Sequence, residues 1–271
     1  DELEKRMRFG YFPDSDIGRK VIKEVQNNSN YLYKSDNNKL VCYSDSEPFI
    51  NERIGQNNRL IIIGEIFSIS NSLNIKHLTN EEKGKVLVKE FQKMGLINFQ
   101  NQAEGRFLAL NVSNNSATIF GDKLNAMDLY YSDQSNCFIA STIIEPIAKR
   151  FSKTLKYNQT SLTLMFSSYG SFAPKKHTIY KDINRLGVGE RLEFNNDKVA
   201  VLKQPFKPKD IEKYNENHLN NYSDILHSSV DIRSSNTTNW VFLSSGWDSS
   251  SILAILSKLK GPSKVRAVIL R

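Results

Sequence analysis

The residues best suited to chemistry form one polar segment, which reads Ser244-Ser245-Gly246-Trp247-Asp248-Ser249-Ser250. The apolar run Trp240–Leu243 precedes it and predicts a short buried strand. Apolar residues then recur at helical spacing from Ile252 to Leu259, and Gly261 followed by a proline predicts where that helix ends. The sequence therefore predicts a strand, a tight polar loop and a helix in direct succession.

Such a loop can bind an anion, because the first N–H groups of a helix lack intrahelical partners and add to the positive end of its dipole. Serine hydroxyls add donors, and Gly246 lets the backbone approach a ligand closely. Asp248 would repel a phosphate unless a divalent cation bridged the two. Ser and Asp are also favoured helix caps, so the residues alone leave a phosphate loop and a plain helix cap both open.

The composition predicts a folded protein with two domains, because the chain has 271 residues, 39% of them hydrophobic and 24% charged. No apolar run has the length of a membrane span, and no secretory signal is present. Two cysteines, Cys42 and Cys137, form no disulfide framework. We therefore expect a cytoplasmic protein with no membrane partner.

The formal net charge of +8 allows a nucleic-acid or acidic-peptide partner. The Lys and Arg residues are scattered, without a run of five or more. We therefore interpret the charge mainly as a solvated surface that also attracts nucleotide phosphates, and a nucleic-acid partner is not expected.

Several further elements must position the loop. Thr79 and Glu82 predict a capping box for a helix that ends at Gly95, and further helices are predicted over 143–150, 158–169 and Leu219–Val230. Strands are predicted at 8–12, at 60–63 with a break at Gly64, and as an antiparallel meander over 106–112, 117–121, 127–131 and 137–140. A strand pair is predicted over 179–194, a linker over 203–210, and a second parallel strand over 265–270.

The segment Ser244–Ser249 resembles the Ser-Gly-Gly-x-Asp-Ser signature of the PP-loop ATP pyrophosphatases, which cleave ATP between its α and β phosphates and adenylate a substrate. Ser245 replaces the first glycine, which is harmless at negative φ and strained at positive φ. The resemblance implies ATP and Mg²⁺ as cofactors, with Asp248 as the metal ligand. Its implied nucleotide contacts are Leu243, Ser244, Ser245, Gly246, Trp247, Asp248, Ser249, Ser250 and Ile269. The Trp247 ring is predicted to lie in the core, with a position against the nucleotide as the alternative.

The order of motifs along the chain resembles the asparagine synthetase family, in which a glutaminase domain precedes a PP-loop domain. The segments that carry this resemblance are Gly105–Ala109, Phe120–Lys123, Asp128–Tyr131, Phe138–Ser141 and His177–Ile183. The resemblance implies an α+β, Ntn-hydrolase-like sandwich over residues 1–205. It also implies the first part of an α/β PP-loop domain over residues 206–271.

Two departures from the family decide the expected activity. The family's nucleophile is an N-terminal Cys followed by Gly, and Phe9-Gly10 stands there instead. Ile63 stands where the family has its oxyanion-hole Asn, beside Gly64-Glu65. Cys42 and Cys137 lie in strand-like runs and are predicted to be buried. No catalytic residue is therefore identified in the first domain, which is expected to lack glutaminase activity.

This chain lacks the N-terminal Cys, and members of the superfamily without that residue resemble β-lactam synthetases and lasso-peptide cyclases. The expected function is therefore ATP-dependent amide-bond formation on the carboxylate of an amino acid or peptide, with a precursor peptide as a partner. A working asparagine synthetase that uses free ammonia, a PP-loop tRNA-modifying enzyme and a non-catalytic scaffold are the alternatives. Two parallel strands cannot form a complete α/β domain. The remainder of the synthetase domain is thus expected from the same or another chain.

Overall fold

The computed structural model describes residues 7–11, 30–34, 39–44, 48–55, 58–70, 73–134, 137–170, 177–195, 198–204 and 213–269. The chain divides into two compact units, residues 1–206 and residues 207–271. Most of the predicted linker lies outside the described residues.

The first unit contains an antiparallel sheet of six strands, in the order β11-β9-β10-β1-β3-β2. Its strands are β1 (Met7–Tyr11), β2 (Asn30–Lys34), β3 (Leu40–Ser44), β9 (Tyr130–Gln134), β10 (Cys137–Ser141) and β11 (Asn184–Arg185). The strand β1 lies between β10 and β3, so it is hydrogen-bonded on both edges.

A second antiparallel sheet has the order β13-β12-β8-β7-β5-β4, with β6 paired to β5. Its strands are β4 (Ile50–Arg53), β5 (Arg59–Ile69), β6 (Leu73–Asn74), β7 (Ala103–Val112), β8 (Ser116–Gly121), β12 (Glu190–Asn195) and β13 (Lys198–Lys203). The strand β13 was not predicted, because its mostly exposed residues have no buried face to produce a pattern.

The two sheets pack face to face over one apolar core, to which both contribute alternate residues. A helix, α1 (Asn80–Gln102), covers the outer face of the second sheet, and α2 (Glu145–Arg150) covers that of the first. The first unit is therefore an α+β sandwich of helix, sheet, sheet and helix.

The helix α1 starts at the predicted capping box: the Glu82 N–H donates to Thr79 Oγ1, and the Thr79 N–H donates to Glu82 Oε2 at 2.8 Å. The predicted end at Gly95 is only partly right. Gly95 has φ 74 and interrupts the helical backbone, but helical residues resume and continue to Gln102. The glycine marks a kink, because the apolar residue Phe99 still gains burial against the sheet beyond it.

The predicted meander over 106–140 is wrong in one respect. The pairs β7–β8 and β9–β10 are adjacent antiparallel strands, but β8 belongs to the second sheet and β9 to the first. The predicted strand at 127–131 begins only at Tyr130, and Asp122 holds the preceding turn by accepting from the Leu124 N–H at 2.9 Å. Local patterns predict strands well but do not reveal which sheet each one joins.

Two other strand predictions also needed correction. Residues 179–194 do not form one strand pair, because β11 joins the first sheet and β12 the second. The strand β5 does not break at Gly64 but continues to Ile69, with an irregular register between Ile66 and Ser68. Gly64 does not end the strand, and it marks a position where the backbones of β5 and β7 approach closely.

After β10 and α2, the chain forms α3 (Gln159–Leu164), which starts next to Asn158 as predicted, and a π-helical turn, Met165–Tyr169. The Asn158 side chain caps α3 by accepting from the Ser161 N–H at 3.1 Å. No helix among the described residues is long and apolar enough to cross a membrane.

The second unit contains α4 (Glu216–Arg233), β14 (Asn239–Leu243), α5 (Trp247–Lys260), a 3₁₀ turn and β15 (Val265–Ile269). The strands β14 and β15 pair in parallel, as predicted. Their core is small, with Val241, Leu256 and Val265 buried and Val230 of α4 packed against them.

Candidate functional site

Phe9 lies in the middle of β1, opposite Ala140 on one side and Cys42 on the other. The strand begins before it, where the Met7 N–H donates to Thr142 Oγ1 at 3.1 Å and the Met7 carbonyl accepts from the Thr142 N–H at 3.0 Å. The nitrogen of Phe9 is therefore a peptide nitrogen inside a sheet. It cannot serve as the free α-amine that an N-terminal nucleophile uses as its base.

The surroundings of Phe9 are aromatic and dry. Its ring packs edge-on against Phe138, at 6.0 Å between centroids, and against Phe194 at 6.5 Å. Ile63, at the expected oxyanion position, is fully buried in the same core between the sheets. The two positions that would carry acyl transfer are thus occupied by apolar side chains in a packed core.

The presence of glycine at position 64 is explained by backbone conformation and packing rather than by catalysis. Its φ is +89, and a Cβ added there would lie 2.2 Å from the Arg106 carbonyl oxygen. Across the ladder, a Cβ on Gly105 would lie 2.1 Å from the Glu65 carbonyl oxygen. Both glycines are needed because β5 and β7 approach more closely than any side chain allows.

The two cysteines are buried, as predicted, and do not supply another nucleophile. Burial raises the pKa of the Cys42 thiol far above its usual range. Burial also raises the pKa of Cys137, although the nearby Arg150 opposes that shift. Both groups are therefore neutral thiols at neutral pH, and a neutral thiol is a poor nucleophile.

In the second unit, the predicted loop lies at the edge where both parallel strands end. Leu243, the last residue of β14, is opposite Ile269, the last residue of β15. The helix α5 begins at Trp247, directly after the three loop residues. The structure thus brings the whole predicted nucleotide segment to the carboxyl edge of the strands, where ligands bind in open α/β sheets.

Serine hydroxyls organise this loop internally. Ser249 Oγ accepts from the Ser244 N–H at 3.1 Å, and the two hydroxyl oxygens are 3.0 Å apart. Ser244 Oγ also accepts from the Gly246 N–H at 3.1 Å, and Ser250 Oγ donates to the Gly246 carbonyl at 3.0 Å. The predicted donors Ser244, Ser249 and Ser250 therefore bind the loop's own backbone, which fixes its shape.

The start of α5 has no side-chain cap. Gly246 occupies the cap position with φ −86, and no side chain accepts from the first turn. By contrast, capping boxes close α1 and α4, the latter between Asn215 and His218. Within the described part of the chain, the N–H groups of Trp247 and Asp248 have no hydrogen-bond acceptor. This feature could have been found in the sequence, because a Gly followed by Ser at the third helical position forms no capping box.

The loop is not strained by Ser245. Ser70 and Asn125 are the non-glycine residues with positive φ among those the structure describes, so Ser245 adopts an ordinary backbone conformation. The condition under which a serine could replace the usual glycine is therefore met.

The prediction that Trp247 lies in the core is wrong. Its side chain is 88% exposed, because the first turn of α5 projects beyond the small core of the second unit. Ile269 is also exposed, at 65%. Both side chains are thus open to contact with a ligand at the strand edge.

Asp248 is exposed in the first turn of α5, and its carboxylate makes no hydrogen bond or ion pair within the described ranges. No group of three acidic, His or Cys side chains that could hold a metal occurs in those ranges. A single carboxylate suits Mg²⁺ when substrate phosphates and water supply the other ligands. The residues therefore fit a magnesium ion that arrives with a nucleotide, and they do not fit an all-protein metal cage.

Residues 43–207, more than half of the chain, match the sequence model of a family described as the glutamine amidotransferase domain. The second unit lies almost wholly outside the matched residues. No curated protein matches the sequence.

Two solved structures are similar in fold. One is glutamine phosphoribosylpyrophosphate amidotransferase from B. subtilis complexed with ADP and GMP, at 9% identity and a TM-score of 0.41, covering 73% of this chain and 49% of that one. The other is an allosteric regulatory enzyme of purine biosynthesis, at 12% identity and a TM-score of 0.38, covering 74% of this chain and 43% of that one. The chain thus spans less than half the length of these structures.

Proposed function

The chain belongs to the glutamine amidotransferase domain family, and from that premise we propose an asparagine-synthetase-like enzyme that forms amide bonds with ATP but does not hydrolyse glutamine. Its first unit is the α+β, Ntn-type domain of that family. The second unit is proposed to be the first part of a PP-loop domain, with the remainder supplied by the same or another chain.

The observation that carries the proposal is the position of Phe9. The family's glutamine chemistry requires a thiolate to attack the amide carbon and a free amine to accept its proton. Phe9 provides neither group, and its ring fills the space between the sheets. We infer that the first unit keeps the fold as a scaffold and that the amine does not come from glutamine.

The loop at Ser244–Gly246 and the start of α5 are proposed to hold the pyrophosphate of ATP. The free N–H groups of Trp247 and Asp248 would donate to phosphate oxygens, and the helix dipole favours that charge. Asp248 would hold Mg²⁺, which neutralises charge on the leaving pyrophosphate. Leu243 and the exposed Ile269 would border the adenine.

The proposed reaction has two steps. A substrate carboxylate oxygen attacks the α-phosphorus of ATP, the bond to the β-phosphate oxygen breaks, and pyrophosphate leaves. An amine then attacks the acyl carbon, loses a proton and displaces AMP. In the first step, the role of this chain's residues is to position the triphosphate and stabilise the charge of the leaving pyrophosphate.

The acyl substrate is proposed to be the carboxylate of an amino acid or a peptide. In a cyclase, the attacking amine belongs to the same substrate, whereas a synthetase of the alternative type uses free ammonia. Addition of ammonium in place of an amine substrate separates the two, because only the second type would release AMP with it.

Two measurements test the proposal. Incubation with glutamine should release no glutamate. Release that depends on Cys42 or Cys137 would overturn the proposal that the first unit does not hydrolyse glutamine.

The only two tryptophans, Trp240 and Trp247, are both exposed in the second unit. Titration with Mg·ATP should therefore change tryptophan fluorescence, and Trp247→Phe should remove most of that change. If Mg·ATP causes no saturable change in fluorescence, the proposal that the second unit binds ATP is overturned and a non-catalytic scaffold is favoured.

A further inference from the structure

We propose that the five described cations of the stretch 146–181, namely Lys149, Arg150, Lys153, Lys156 and Lys181, form a cationic face that binds an acidic segment of a peptide. The inference deepens the proposed function, in which a peptide is one substrate class, and it rests on that function for the class of partner. Its evidence lies in the first unit, away from the nucleotide loop in sequence.

The charge of this stretch is of one sign. Between Glu145 and Asp182 the chain has 36 residues without a single Asp or Glu, and seven of them are Lys or Arg. These seven account for nearly all of the formal net charge of +8, so the rest of the chain is close to neutral. The distinctive feature of the stretch is its lack of acidic residues, because its basic residues are spaced along the chain and form no long run.

The fold directs these cations outward. Phe151 and its apolar neighbours pack over the first sheet, while Lys149 and Lys153 are exposed. A second segment joins them, because the Lys181 N–H donates to the Lys156 carbonyl at 2.9 Å. Lys156 and Lys181, distant in sequence, are therefore neighbours across this bridge.

Nothing within the described residues neutralises this face. Five of its cations are described and exposed, and none forms an ion pair there: Lys149, Arg150, Lys153, Lys156 and Lys181. The acids nearest in sequence are Glu145 and Asp182, and Asp133 acts, like Arg150, on the Cys137 thiol. Lys149 and Arg150 lie in the last turn of α2, where the helix dipole stabilises positive charge. The dipole does not explain the presence of Lys153, Lys156 and Lys181.

The side chains of this face lack the features that nucleic-acid recognition adds to positive charge. Four of the five cations are Lys, a flexible point charge that pairs with a carboxylate as well as with a phosphate, and only one is Arg, which can bind an anion through two parallel hydrogen bonds. The one guanidinium, that of Arg150, is engaged with the Cys137 thiol. Tyr157 is 67% exposed, but Tyr180 stacks on its ring at 5.8 Å, so it offers only one face and no row of base platforms.

The test compares two triple variants of equal charge. Lys153→Gln, Lys156→Gln and Lys181→Gln remove charge from the proposed face. Lys89→Gln, Lys198→Gln and Lys203→Gln remove three exposed lysines elsewhere in the same unit that form no ion pair with any residue the structure describes. A fluorescent, Glu-rich peptide is titrated with each protein, without ATP, and its anisotropy is measured at low and physiological salt. A uridine oligonucleotide and a Ser-rich peptide of equal length serve as competing probes.

The Glu-rich peptide should bind saturably, weaken with salt, and lose about tenfold in affinity in the first triple variant but not in the second. Equal losses in both variants would show a net-charge effect and overturn the proposal. Tighter binding of the oligonucleotide, lost only in the first variant, would assign the face to nucleic acid instead. Because ATP is absent, failure of the proposed amide chemistry would leave this result unaffected, and a thermal melt confirms that both variants fold.

Discussion

At the scale of single residues, Asp248 separates a phosphate loop from a plain helix cap. The loop's serines already satisfy its internal hydrogen bonds, and Gly246 occupies the cap position, so the structure needs no carboxylate at Asp248 for stability. A side chain that is dispensable for the fold, exposed, and placed beside free N–H groups is the one expected to serve a ligand.

Asp248→Asn should therefore abolish ATP–pyrophosphate exchange while leaving the melting temperature almost unchanged. Asn lacks the charge that holds a hard dication, whereas the lost interaction of an exposed first-turn carboxylate with the helix dipole costs at most about 1 kcal/mol. Asp224→Asn, an exposed site on α4 with the same change of charge, is the control and should keep full exchange. Full exchange in a folded Asp248→Asn protein would leave this loop a helix cap.

The two cysteines give a prediction about pH. Burial raises the pKa of both thiols, so labelling by a thiol reagent should stay slow in the native protein as the pH rises from about 7 to 9. The same shift has a consequence for stability. The contribution of the buried thiols to the free energy of unfolding is fully present below the pKa of the unfolded thiols, and it is lost as the pH rises from that value through their raised native pKa. Complete labelling in denaturant is the control, and rapid native labelling that Cys42→Ser removes would contradict the packed core.

At the scale of elements, the close approach of β5 and β7 is what Gly64 makes possible. Gly64 and Gly55 both have φ near +90, but nothing lies within 4 Å of a Cβ added to Gly55. The pair therefore separates two causes of glycine selection, namely backbone conformation and lack of space.

Gly55→Ala should lower the free energy of unfolding by about 1 kcal/mol, since only the left-handed backbone is penalised. Gly64→Ala should lower it by about 3 kcal/mol or more, because the new methyl group also meets the Arg106 carbonyl. Denaturant unfolding followed by circular dichroism measures both values. Equal losses in the two variants would mean that β5 and β7 can move apart without penalty.

At the scale of the whole molecule, local order could be predicted from the sequence, whereas sheet membership could not. The capping box at Thr79 and the parallel pairing of β14 with β15 were confirmed, because each depends on neighbouring residues or on one short crossover. The division of the meander between two sheets was missed, because it depends on contacts distant in sequence. The exposure of Trp247 was missed for a related reason, since burial depends on how much core a unit has.

Core size also predicts where the chain opens first. In the second unit, α4 has no buried residue, and the aromatic side chains of Trp240 and Phe242 on β14 are 66% and 69% exposed. The first unit has three apolar clusters, one between its sheets and one on the outer face of each, and most of its strands are paired on both edges. Local unfolding free energy follows buried apolar contact, so the second unit should open at a lower free energy.

Limited digestion with chymotrypsin should therefore cut after the exposed aromatic residues of 213–269 long before it cuts within the strands of the two antiparallel sheets. Fragments identified by mass spectrometry should show early cleavage at Tyr222, Trp240 or Phe242 and a persistent core of the first unit. Mg·ATP should slow the early cuts if the loop binds nucleotide, because a ligand that binds only the folded form stabilises it. Uniform resistance along the whole chain would show instead that the second unit is as self-sufficient as the first.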